Sequence, residues 1–331
     1  MRYISLLVVA VAVAGVVAAV AGASAEGSSL TIVAYSTPKT VLGKLISAWQ
    51  QTPDGKDVSF NQSYGASGDQ ERAVAAGQKA DIVFLALGSD MDALVDAGVV
   101  DRNWDTQGYR GIVADSVVAF VFRNSNPKHI KNWSDLVKPG VQVITANPFS
   151  SGGARWNVLA AYASQRRAGK TDKQARAFVL NLFKHVVSQD TSARNATNTF
   201  LSGKGDVLLN YESEAIAAQQ AGQSLAYLVP RQTMLIELPI AITKNTQNRD
   251  KAIEFIRYLK SEPAQEVFAQ YGFRPVNKQA AAKFKAKYPL KGFTTIGNPW
   301  FGGWRAAQKR WFDPQTGLMV GIEKSVGGPT G

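Results

Sequence analysis

Ser151, Gly152 and Gly153 stand at the head of a helix-forming run, inside the segment Phe149-Ser-Ser-Gly-Gly-Ala-Arg-Trp-Asn157. Hydroxyls and glycines at the start of a helix leave backbone N–H groups without intrahelical partners, and an anion can take them. Three other turns repeat the arrangement: Thr37 before Pro38, Ser67 before Gly68, and Ser192 before Ala193. Each alone reads as an ordinary helix cap. Four in one chain point to a shared anion pocket made of neutral donors. A hydrogen bond to a charged group contributes about 1.5–3 kcal/mol. About six or seven of them can offset ordering and desolvation and leave the ~8 kcal/mol of micromolar affinity.

Catalysis finds little machinery here. The only histidines are His129 and His185, each among lysines, and both read as surface residues. A secreted serine hydrolase built on Ser151 or Ser67 would need one of them, and no Gly-x-Ser-x-Gly elbow surrounds either serine. That reading stays as a remote alternative. Gly152-Gly153 lacks the Gly-Lys-Ser/Thr of a phosphate-binding loop. Glu212 and Glu214 lie two apart, on divergent helix faces. The chain has no cysteine, which excludes disulfides, thiolate metal sites and cysteine nucleophiles. No catalytic residue, metal or cofactor is expected. The formal charge is +12, but the lysines and arginines are scattered along helices such as 170–184 and 278–287. Solvated faces with some attraction for anions fit better than nucleic acid as a partner.

The elements that must hold these turns alternate strand, turn and helix. Leu30–Ala34, Val58–Ser63 and Asp81–Ala86 read as strands, and helices follow from Pro38, Asp69 and Met91. This is an α/β pattern with parallel strands, whose ligands bind beyond the carboxyl ends. Thr37 and Ser67 fall at such ends. Val141–Thr145 leads to the serine–glycine turn, and helices are expected over about 153–167 and 172–185. Asp206–Asn210 is a strand that feeds Tyr211 and the next helix. Two long apolar strands, 116–123 and 234–243, are candidate connections between two lobes, the pattern of one lobe inserted into another. Arg2, the apolar run Ile4–Val20 and the Ala23-Ser-Ala25 site read as a cleaved secretory leader. The expected division is 1–25 leader, 26–115 first lobe, 116–236 inserted second lobe, 237–292 return to the first lobe, and 293–331 a C-terminal aromatic segment of unassigned lobe.

Several segments carry a family resemblance that covers essentially the whole mature chain. They are Ser63-Tyr-Gly-Ala-Ser-Gly-Asp-Gln70, Asn147-Pro-Phe-Ser-Ser-Gly-Gly-Ala-Arg-Trp-Asn157, Ser192-Ala-Arg194 with Thr197-Asn-Thr-Phe200, Gly205-Asp-Val-Leu-Leu209 with Glu212 and Glu214, Phe273-Arg-Pro275, and Phe301-Gly-Gly-Trp304. In these the chain resembles the periplasmic sulfate-binding proteins that feed ABC-type sulfate/thiosulfate importers. The resemblance implies a two-lobed α/β periplasmic-binding fold of the second type, with mostly parallel sheets and the ligand cleft between the lobes. It implies an exported monomer that hands sulfate to a membrane permease, with thiosulfate, molybdate or another tetrahedral oxyanion as the alternative ligand. By motif position it assigns the ligand contacts to the Thr37 N–H, the Ser67 hydroxyl and N–H, the Ser151 hydroxyl, and the N–H groups of Gly152, Gly153 and Ala193. Two positions depart from the family pattern. Thr37 stands where an Asp is usual, and Tyr211 where a Trp donates its indole N–H. Unlike that indole, a tyrosine hydroxyl can also accept. Asp69 is expected to be a solvated first-turn residue, and Arg155 and Arg194 to make salt bridges behind the binding turns.

Overall fold

The computed structural model describes residues 28–106, 108–289 and 292–330. The expected leader, 1–25, lies outside them. The first lobe opens with β1 (Ser29–Tyr35), α1 (Lys39–Trp49), β2 (Ser59–Gly65), α2 (Ser67–Ala75), β3 (Ile82–Phe84) and α3 (Gly88–Asp96). The strand β4 (Ile112–Arg123) leads into β5 (Val143–Ala146), α4 (Gly152–Arg167), α5 (Asp172–Lys184), β6 (Val186–Asp190), α6 (Ala193–Leu201), β7 (Val207–Tyr211), α7 (Glu212–Gln220) and β8 (Leu225–Leu228). The chain returns through β9 (Leu235–Ile242), α8 (Arg249–Leu259), α9 (Glu262–Gln270) and α10 (Lys278–Lys283), then ends in α11 (Trp304–Ala307) and α12 (Leu318–Val326).

The strands run in the order β2-β1-β3-β9-β4-β7-β5-β6, with β8 added to β4. Strands β1, β2 and β3 are mutually parallel through β1, as are β5, β6 and β7 through β5. A single strand joins the two halves. Ile112–Val117 of β4 pairs with β9, whereas Val118–Arg123 pairs with β7 and β8. Almost every β4 side chain is buried, as a strand covered on both faces requires. Pro239 lies inside β9, where it cannot donate to the ladder. It pairs beside Ile112, next to a break in register before Ala114. Its carbonyl still accepts from Leu85 N–H at 3.1 Å.

The parallel arrangement puts the carboxyl ends of β1, β2 and β3 on one side of a cleft and those of β5, β6 and β7 on the other. The C-terminal segment spans both lobes. Phe301 and Trp311 pack edge-on against Tyr162 of α4, with centroids at 5.8 and 4.9 Å. Gln189 of β6 donates to Glu323 of α12 at 2.8 Å. Trp304 meets Trp156 at 4.6 Å, and Arg305 pairs with Asp96 and Asp92 of α3 in the first lobe.

Candidate functional site

The serine–glycine turn becomes the N-terminus of α4. Ser151 caps the helix, accepting from Ala154 N–H at 3.4 Å, and its carbonyl takes Arg155 N–H. The N–H groups of Gly152 and Gly153, the first of the helix, have no partner inside it. Ser67 begins α2 and Ala193 begins α6, so the N–H of each points out of its helix in the same way. Tyr211 ends β7 and precedes α7. These four starts converge on a small space between the lobes, lined by Ser67, Ser151, Gly152, Gly153, Ala193 and Tyr211 among others. All of the residues that line it are uncharged.

The cleft is shut. Gly68 N–H donates to Ser150 O at 3.0 Å, Trp156 Nε1 to Ala86 O at 2.9 Å, and Arg194 Nη2 to Thr37 O at 3.3 Å. Each of these bonds crosses from one lobe to the other. Gly152 permits this closeness: a Cβ there would lie 2.6 Å from Ala86 Cβ of the first lobe. Within the second lobe, a Cβ on Gly153 would lie 2.8 Å from Tyr211 Cε2.

Two of the expected contacts change in detail. Thr37 does not cap α1, because the helix begins one residue later with Pro38 at its N-cap. The cavity wall there is Tyr35 and Ser36. Thr37 is buried beside it, with its Oγ1 unpartnered and its carbonyl held by Arg194. The Ser67 hydroxyl is also committed elsewhere. It donates to Asp90 Oδ2 at 2.6 Å and accepts from Ala86 N–H at 2.8 Å. A hydroxyl has a single proton to give, so Ser67 can offer the cavity its N–H alone. Ser151 differs, because its oxygen accepts within the helix and leaves its proton free.

Charge is held one layer back and is balanced there. Arg155 reaches Asp90 at 3.4 Å, and Arg194 reaches Glu214 at 2.8 Å. These are the salt bridges expected behind the turns. Burial pushes the Asp90 carboxyl above its ordinary value, and Arg155 and the Ser67 hydroxyl oppose the shift. Glu212 and Glu214 do diverge: Glu212 takes Arg274 of the Phe-Arg-Pro segment at 2.8 Å, buried in the core. Asp69 is exposed and pairs with Arg72. His185 is half-buried with Nδ1 on Val141 O, and among the described residues no three His, Cys, Asp or Glu side chains cluster for a metal.

Sequence reasoning missed Tyr35 and Asp90. Tyr35 could have been found, since it closes a strand read as ending at the cleft. Asp90 could not, because its partner Arg155 lies 65 residues away. The Tyr35 and Tyr211 hydroxyls are both buried without a partner. Burial first, then Tyr211 and Glu214 for Tyr35 and Asp90 and Glu214 for Tyr211, pushes both phenols well above their ordinary value, so both keep their protons.

Two half-sheets joined through one long strand, facing each other across a pocket of uncharged donors, define a two-lobed solute receptor. The family of bacterial extracellular solute-binding proteins matches residues 30–274. The sulfate-binding protein of Synechocystis sp. is 39% identical over 92% of this chain and 89% of its own. The solved sulfate-binding protein SubI from Mycobacterium tuberculosis H37Rv is 41% identical, covers 86% of this chain and all of its own, and superposes with a TM-score of 0.83. The thiosulfate-binding protein of Pseudomonas aeruginosa is 32% identical over 89% of this chain and 92% of its own. The chain belongs to the bacterial extracellular solute-binding protein family.

Proposed function

We propose that this protein is an exported receptor that captures sulfate between its lobes and delivers it to an ABC-type membrane permease. The observation that carries the reading is a small cavity between the lobes whose lining has no charged side chain but collects four helix starts. Neutral donors suit a dianion that arrives without a proton. Each hydrogen bond to it contributes about 1.5–3 kcal/mol, and helix ends add partial positive charge. The identity to sulfate-binding proteins, 39% and 41% in the two cases above, supports the choice of sulfate. The thiosulfate-binding relative, at 32%, supports the alternative less strongly. The contacts we assign are the N–H groups of Ser67, Gly152, Gly153 and Ala193, with the hydroxyls of Ser151 and Tyr211. Thr37 would contribute only its N–H, from beside the cavity.

In this reading the leader is cleaved after Ala25 and the mature monomer works in the periplasm. In the same reading the lobes divide near 115/116 and 236/237, close to Val117/Val118, where β4 passes from pairing with β9 to pairing with β7. The protein acts as a carrier and not as an enzyme: the Ser67 oxygen is bound to Asp90 and Ala86, and Ser151 to the backbone of its own helix. Titration calorimetry of the mature protein with sulfate tests the assignment. Micromolar binding is expected; no heat and no thermal shift at millimolar sulfate would end it. Competition with thiosulfate and molybdate, repeated on Tyr211→Trp, ranks the oxyanions.

A further inference from the structure

We propose that Tyr35 is a ligand-contacting residue whose hydroxyl donates to the bound anion from the first-lobe wall. The inference rests on the oxyanion-receptor reading above and adds a donor that no motif assigns. Tyr35 lines the same cavity as Ser151 and Tyr211, and it is 3% exposed. Its ring is fixed edge-on to Phe84 at 5.5 Å and lies 5.9 Å from the Tyr211 ring. The ring is therefore placed by packing, and the hydroxyl is not needed to hold it. That hydroxyl is buried and has no partner, as is the hydroxyl of Tyr211. A buried hydroxyl without a partner costs stability; a ligand that occupies the cavity removes the cost. The Ser67 hydroxyl cannot serve there, because its proton goes to Asp90, which leaves the first lobe's assigned contacts as backbone N–H groups.

One competing partner exists within the same neighbourhood. Glu214 Oε1 is also buried and unpartnered, and its charge is among the influences that raise the Tyr35 phenol, after burial and Tyr211. A Tyr35 hydroxyl that turned to Glu214 would support the fold and leave ligand affinity alone. The two roles therefore predict different outcomes for the same substitution.

Tyr35→Phe keeps the ring against Phe84 and removes only the hydroxyl. Sulfate binding is expected to weaken by about 10- to 100-fold, the loss of one hydrogen bond to a charge, with the ligand-free unfolding midpoint unchanged or higher. Unchanged affinity in the variant, beside a wild type that binds sulfate, overturns the proposal and leaves the receptor reading intact. A wild type that takes no tetrahedral oxyanion overturns both. Should the variant fold poorly, a crystal structure of wild-type protein with sulfate decides. Tyr35 Oη within about 2.5–3.0 Å of an anion oxygen supports the contact, and a separation beyond about 3.5 Å refutes it.

Discussion

Gly152→Ala should separate lobe closure from folding. Gly152 is the first residue of α4 and has no unusual backbone conformation, so alanine suits its helix at least as well as glycine. The obstacle is the other lobe. The added Cβ would stand 2.6 Å from Ala86 Cβ and 3.0 Å from Leu87 Cγ. Carbon atoms prefer about 3.5–4.0 Å, so roughly 1 Å of movement is needed, and Ala86 has no rotamer to yield. Overpacking of this kind costs about 1–3 kcal/mol. Because an open cleft carries no such contact, the cost falls on the closed, ligand-bound form. Sulfate affinity should drop by about 5- to 150-fold at 1.4 kcal/mol per tenfold, while the ligand-free protein melts like wild type. Calorimetric titration and thermal unfolding read the two quantities. Gly43→Ala, inside α1 and meeting nothing within 4 Å, is the control: it should leave affinity unchanged and raise the ligand-free midpoint slightly, since alanine is favoured over glycine in a helix interior by about 1 kcal/mol. Affinity within twofold of wild type, or a ligand-free midpoint that falls as far as the affinity, would refute the reasoning.

Other substitutions probe the layers around the cavity. Ser151→Ala removes a hydroxyl donor and should weaken binding by about 1–3 kcal/mol; calorimetry showing wild-type affinity would place the anion elsewhere. Asp90→Asn leaves Arg155 buried without its countercharge, and about 3–5 kcal/mol of stability should be lost in urea unfolding. A loss under about 1 kcal/mol would mean that the pair matters little to the fold. Glu323 in α12 is buried, and that burial raises its carboxyl from 4.5 to about 7 against the hydrogen bond from Gln189. An acid held above its unfolded value keeps its proton longer in the fold. Its contribution is therefore full below about pH 4.5 and lost as pH rises through about 7. Glu323→Gln should flatten the decline in urea midpoint between about pH 5 and pH 7.5, and parallel declines in variant and wild type would contradict the assignment.

Much of this arrangement was legible in the chain because local signals and global fold agree. Strand β1, helix α4 and the long strands β4 and β9 follow from apolar runs bounded by turn residues, and the serine–glycine turn lies at the head of its helix. The short strands were harder. Val186–Asp190 runs straight into the polar turn before α6, and Leu225–Leu228 is a four-residue strand that pairs only with β4. Both depend on a neighbour far away in sequence. At the site, the donors that belong to helix starts could be read, because a cap is a local event. The fate of the Ser67 proton could not, since Asp90 reaches it through the tertiary fold. The placement of the C-terminal segment likewise follows from contacts such as Trp304 on Trp156 and Arg305 on Asp96, which no local pattern encodes.

The uncharged lining has a consequence for how added salt acts on this protein. Exposed charges more than a Debye length apart, about 8 Å at physiological ionic strength, are largely screened. The protein's scattered excess of cations works in that regime and draws anions toward its surface. At the cavity the donors are neutral N–H and O–H groups, with the nearby arginines already paired. Ionic strength should thus slow the arrival of the anion while leaving its departure nearly untouched.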